Sequence, residues 1–159
     1  MIRPDFFIEQ LMNYDISFFA GVPDSLLKNI CAYITDHSDP KNNIIAANEG
    51  AAMGLAAGYH LATGKIPVVY MQNSGEGNMI NPLLSLTDAD VYNIPVLLII
   101  GWRGEPGVKD EPQHIKQGKV TLGLLDAVGV KYDVLSGNED EVAQQIGQAV
   151  SYMRQTGEA

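Results

Sequence analysis

Four places in this sequence put a polar or charged side chain directly after a short apolar run. Glu49 follows Ile44-Ile45-Ala46-Ala47-Asn48 and opens a Gly/Ala-rich stretch, residues 50–58. Asp24 and Ser25 follow residues 16–20 by way of Gly21-Val22-Pro23. Asn73, Ser74 and Gly75 begin the loop Asn73-Ser74-Gly75-Glu76-Gly77-Asn78, which comes after residues 66–72. Arg103 leads a charged segment, residues 103–118, that holds Lys109 and His114 and follows residues 96–102. Open α/β sheets place their chemistry at the carboxyl ends of strands. Glu49 there has two readings. It is a first-turn acid favoured by the helix dipole, or a buried acid able to handle a proton. Its small neighbours favour the second, because they let a backbone or a flat ring come close. Asp24 taken alone reads as a helix N-cap.

Other motifs fail on spacing. Gly75-Glu76-Gly77-Asn78-Met79-Ile80 follows a strand, but Ile80 stands where a dinucleotide fingerprint needs its third glycine. Gly58 to Lys65 is one residue too long for a phosphate loop, and Ile66 replaces the required hydroxyl residue. His37, His60 and His114 have no ligand-like spacing. There is no Gly-x-Ser-x-Gly elbow, and no metal site is expected in this chain.

The elements that must position these residues alternate. Strands are expected at 16–20, 44–48, 66–72, 96–102 and 131–135. Helices are expected at 4–13, 25–36, 49–63, 79–87, 119–128 and 139–154, with Gly64 ending the third. That order predicts an α/β fold: three layers, α/β/α, around a mainly parallel sheet of five to six strands. Residues 1–159 are expected to form a single domain. The run at 96–102 is the most hydrophobic and is expected to lie centrally. Residues 103–118 are expected as a long functional loop.

Composition narrows the partners. The net charge is −9, which argues against binding a nucleic-acid backbone or an anionic membrane surface. Cys31 is the only cysteine, so no disulfide framework is expected. The N-terminal residues lack a secretory signal's apolar core, and a cytoplasmic location is expected.

Three segments together carry a resemblance: Gly21-Val22-Pro23-Asp24-Ser25-Leu26-Leu27, Asn48-Glu49-Gly50-Ala51-Ala52, and Gln72-Asn73-Ser74-Gly75-Glu76-Gly77-Asn78. In this order they resemble the pyrimidine-binding (Pyr) domain of thiamine-diphosphate enzymes. Within that superfamily, Gly101-Trp102-Arg103-Gly104-Glu105-Pro106-Gly107-Val108-Lys109-Asp110-Glu111-Pro112-Gln113-His114 is similar to phosphonopyruvate decarboxylases. The α subunit of sulfopyruvate decarboxylases is the near neighbour.

The resemblance implies thiamine diphosphate and Mg²⁺ as cofactors. It implies that Glu49 bonds N1′ of the aminopyrimidine and activates the cofactor, while Asn73, Ser74 and Gly75 lie beside the ring. Asp24 is implied as a second catalytic acid, with capping as its competing role. Ser25, Arg103, Lys109 and His114 are implied as contacts to the substrate, a 2-oxo acid with a second anionic group. The competing reading of the loop cations is solvated charges paired with Glu105, Asp110 and Glu111. The reaction implied is conversion of phosphonopyruvate to phosphonoacetaldehyde and CO₂, or the same chemistry on sulfopyruvate. A non-catalytic Pyr-like module that binds a partner is the reading from another class.

The sequence departs from the family in one respect. The diphosphate and Mg²⁺ are held in the family by a second (PP) domain with a Gly-Asp-Gly motif, and no Gly-Asp-Gly occurs here. The PP domain is therefore expected from elsewhere, as a partner subunit or another part of a longer protein, in a homo- or hetero-oligomer. A strand after the last helix is also expected by analogy with other α/β domains.

Overall fold

The computed structural model describes residues 2–159. Four strands form one all-parallel sheet: β1 (Phe19–Gly21), β2 (Asn43–Ile45), β3 (Val68–Gln72) and β4 (Leu97–Gly101), in the spatial order β2-β1-β3-β4. Phe19 pairs in register with Asn43 on one side and Val68 on the other, and Val68 in turn with Leu97. Among the described residues six α-helices precede, connect and follow the strands: α1 (Pro4–Met12), α2 (Lys28–His37), α3 (Glu49–Thr63), α4 (Glu76–Pro82), α5 (Pro112–Ala127) and α6 (Glu139–Thr156).

The period of two along the strands divides the core. Phe19, Val68, Tyr70 and Ile99 pack with Phe7, Ile8 and Leu11 of α1, Ile34 of α2, and Val142, Ile146 and Val150 of α6. Ala20, Val69 and Met71 point the other way, onto Ala52, Met53 and Ala56 of α3, Met79 of α4 and Leu125 of α5. Three layers result, as the sequence predicts. The alanines of α3 let it approach the sheet closely. Asn48 caps α3 through Oδ1, which accepts from Ala51 N at 2.9 Å, and Gly64 ends it at φ 72°.

Three expectations are corrected. The sheet has four strands, because residues 131–135 pair with no strand. That segment is tied instead to α6: Gln145 Nε2 donates to Val134 O, and Ser136 N donates to Gln145 Oε1. It faces the outer edge of β4 across an apolar groove of about 300 Å³. Second, β4 is an edge strand, not a central one. Its hydrophobicity reflects two covered faces, since Ile99 packs toward α6 while Leu98 and Ile100 pack toward the α3 side. Hydropathy reports faces and is blind to the edge. Third, the loop after β4 is shorter than expected. Glu111 is extended, as a residue before proline prefers, and Pro112 starts α5. His114 therefore lies in a helix.

Smaller differences follow. α2 starts at Lys28, and Asp24 caps the turn before it rather than the helix: Oδ2 accepts from Leu26 N at 2.9 Å. Leu26 is exposed. Residues 79–87 divide into the end of α4 and a single π turn, Leu83–Thr87, just after Pro82.

Candidate active site

The carboxyl ends of β1, β3 and β4, with the start of α3, bring most of the sequence-derived site residues together. Glu49 is the first residue of α3 and only 8% exposed. Its Oε2 accepts from Asn78 Nδ2 at 2.8 Å, leaving Oε1 with no donor among the described residues. Gly75 lies against this carboxylate, where a Cβ would stand 2.3 Å from Oε1. The first turn of α4 thus supplies an amide to orient the acid, and the turn before it a glycine to make room for it. Ser74 is exposed, and its hydroxyl accepts from Gln72 Nε2.

Asn73 is fully buried and is spent on a different task. Its Nδ2 donates to Arg103 O at 2.8 Å, and its Oδ1 accepts from Arg103 N at 3.2 Å. The same Nδ2 reaches Thr121 Oγ1 on α5 at 2.8 Å. The carboxamide therefore pairs with the main chain of Arg103 and joins the ends of β3 and β4.

Arg103 is held at its side chain as well. Nε and Nη2 donate to the two oxygens of Asp110 at 2.8 and 2.5 Å, and Nη1 donates to Ser25 Oγ at 2.6 Å. Asp110 also accepts from Gly104 N and Glu111 N, both at 2.8 Å. The Arg103 hydrogen bond, with these backbone donors adding, holds the Asp110 carboxyl well below the usual carboxylate range. The Asp110 hydrogen bond in turn raises Arg103, with smaller contributions from Asp24 and Glu111.

Asp24 is 7% exposed and packs on Gly101, the last residue of β4, where a Cβ would meet Oδ2 at 2.3 Å. Its Oδ1 is buried without a partner. Ser25, Arg103 and Asp24 are thus brought together. Lys109 is exposed near the loop tip and joins none of these contacts. His114 sits in the first turn of α5, its backbone packed on Gly104: a Cβ at Gly104 would fall 2.0 Å from His114 O.

Several contributors carry little sequence signal. Asp110 is one of several alternating loop charges. Asn78 reads as part of a polar loop but lies in α4, and only the fold shows that its amide meets Glu49. Gly118 packs so closely on Gly104 that a Cβ would lie 1.8 Å from Gly104 O, and Trp102 Nε1 donates to Gly118 O at 2.8 Å. Glu76 is 1% exposed with neither oxygen bonded, and burial pushes its carboxyl up to about 7.

No group of three or more His, Cys, Asp or Glu that could hold a metal ion occurs among the described residues. No helix among them is long and apolar enough to cross a membrane. The chemistry of Glu49 suits a ring nitrogen: the acid is buried, and one of its oxygens has no donor among the described residues.

Known proteins resemble this chain in sequence and in fold. Residues 4–128 match the family described as thiamine pyrophosphate enzyme, N-terminal TPP binding domain. The chain is 38% identical over 133 residues to a phosphonopyruvate decarboxylase of Streptomyces viridochromogenes, covering 83% of this chain and 32% of that one. It is 38% identical over 146 residues to a sulfopyruvate decarboxylase subunit alpha of Methanocaldococcus jannaschii, covering 90% of this chain and 81% of that one. A solved thiamine diphosphate-dependent 4-hydroxybenzoylformate decarboxylase of Rhodococcus jostii RHA1 shares the fold. Its TM-score is 0.63 at 20% identity, over 96% of this chain and 28% of that one. The chain thus spans about a third of the length of the phosphonopyruvate decarboxylase it matches.

Proposed function

We propose a function from one premise: the chain belongs to the family of thiamine pyrophosphate enzyme N-terminal TPP-binding domains. It supplies the pyrimidine-binding half of a thiamine-diphosphate-dependent decarboxylase. The substrate is a short 2-oxo acid with a second anionic group, phosphonopyruvate in the first reading, yielding phosphonoacetaldehyde and CO₂. A partner domain or subunit supplies the diphosphate and Mg²⁺ site. The carrying observation is the Glu49 carboxylate, buried at the start of α3 with Asn78 on Oε2 and Gly75 beside Oε1.

Thiamine diphosphate, when bound, would supply the sink for the electron pair that departing CO₂ leaves behind. Glu49 would hold its ring through Oε1 and exchange a proton there, as a buried acid with one uncommitted oxygen can. Asn78 fixes the orientation of that acid. Gly75 leaves room for the Glu49 carboxylate, and Ser74 stands exposed at the same loop. Asp24, with its orphan Oδ1, is the second acid placed to move a proton. Ser25 and Arg103 hold the substrate's distal anion. Lys109 on the loop and His114 in the first turn of α5 are the remaining candidates for contacts to that anion.

Sulfopyruvate is the second reading. It is favoured by the 81% share of the M. jannaschii subunit that the chain covers.

The test combines the chain with a diphosphate-binding partner, thiamine diphosphate and Mg²⁺, and follows CO₂ release from both substrates. Glu49→Gln is expected to lower kcat by roughly 10²-fold or more, the usual scale for losing a general acid–base. Undiminished turnover by that variant would refute the reading.

A further inference from the structure

We propose that Asp110 and Asn73 are positioning residues that aim the Arg103 guanidinium at the distal anion of the substrate, making the site selective for 2-oxo acids that carry one. The inference deepens the decarboxylase reading and rests on it for the identity of the substrate.

A guanidinium has five N–H donors in a fixed plane. Three are committed here: Nε and one Nη2 hydrogen to Asp110, and one Nη1 hydrogen to Ser25. One hydrogen on each terminal nitrogen remains, which suits an oxyanion taken by two donors. A free arginine would spread its orientations over many rotamers and pay to settle in one. This one has lost that freedom already, because Asp110 occupies one edge of its fork.

Asp110 is itself immobile. Two backbone N–H groups, of Gly104 and Glu111, hold its oxygens from the loop's two roots. Asn73 performs the same service for the main chain, pairing with both N and O of Arg103. Thr121, which donates to Gln117 O, keeps its oxygen toward the Asn73 amide.

Directed donors matter because net charge does not do this work. Asp110 neutralises Arg103 at contact distance, and Asp24 lies close by. An anion is therefore selected by two aimed hydrogen bonds rather than by a positive field. Phosphonate and sulfonate both present oxygens that can accept the pair; the methyl group of pyruvate cannot.

The experiment compares phosphonopyruvate with pyruvate in the assembled enzyme, for wild type and Asp110→Asn. The variant keeps the shape and leaves one oxygen, but it cannot accept from both Arg103 donors. A positioning role predicts a KM for phosphonopyruvate raised on the order of tenfold or more, with kcat/KM on pyruvate within about twofold. Equal losses on both substrates, or none on either, overturn the proposal.

A second measurement needs no catalysis. The chain is titrated with phosphonoacetate, with acetate as control, while the Arg103 side-chain N–H resonances are followed by NMR. Saturable shifts with phosphonoacetate alone are expected, weakened in Asp110→Asn and to a lesser extent in Thr121→Val. No shift in the wild type overturns the proposal. If the shifts occur but neither 2-oxo acid is turned over, the anion subsite stands and the decarboxylase reading fails.

Discussion

Glu76 gives the sharpest stability prediction. It is 1% exposed and neither of its oxygens has a hydrogen-bond partner. Burial alone raises its carboxyl from the ordinary 4.5 to about 7, with no neighbouring charge contributing. The folded pKa lies above the unfolded one, so the folded protein binds the extra proton between those values. Stability from this group is fully present below about 4.5 and is lost as pH rises through about 7. At 1.36 kcal/mol per unit, the loss amounts to about 3 kcal/mol. Glu76→Leu removes the titrating group at similar size. Urea denaturation of both proteins between pH 5 and 8.5 should show the variant gaining on the wild type as pH rises, by about 3 kcal/mol at the upper end. Other titrating groups cancel in the difference. A gap between the two proteins that stays constant over that range would show that Glu76 does not titrate in a buried state.

Two glycine substitutions test the site's geometry. Gly75→Ala puts a methyl group 2.3 Å from Glu49 Oε1. The carboxylate must swing away, and decarboxylation should fall at least tenfold while the melting temperature drops by only a few degrees, because a side chain can yield. Gly118→Ala meets the Gly104 carbonyl at 1.8 Å, a backbone atom that cannot yield. It should cost about 3 kcal/mol or more. Gly123→Ala on the same helix meets nothing within 4 Å and should stabilise by about 0.5–1 kcal/mol. Calorimetric melting of the two α5 variants checks the contrast, and similar melting temperatures would refute it.

Much of the fold is legible because α/β alternation is written in short-range patterns. The Gly/Ala run of α3, its Gly64 stop and the inward face of α6 all read directly from residue types. The loop after β4 is harder. Residues 112–118 hold a proline, a glycine and two charged or titratable side chains, a loop-like composition, yet they are helical. Gly118 is there for a close approach to Gly104, which no local pattern reveals. Residues 131–135 have strand character but no neighbour to pair with, and pairing is a property of the sheet. Within the site, Glu49 stands out through its junction of apolar run and small-residue helix. Asn73 is conspicuous in the sequence, but its fully buried pairing with Arg103 is visible only once β3 and β4 are side by side. Asp110 hides among its charged neighbours, because sequence does not say which acid a given arginine meets.

The segment after β4 is secured at its roots and open at its tip. Arg103, Gly104 and Asp110 are fixed by hydrogen bonds, whereas residues 106–109 are exposed. Such a loop separates what must be conserved in shape from what can vary. A protease should nick it near Val108, and a label or a few extra residues should be accepted there, while the guanidinium two turns of chain away keeps its aim. Length and composition can then change at the tip, residue by residue, without rebuilding the platform beneath it.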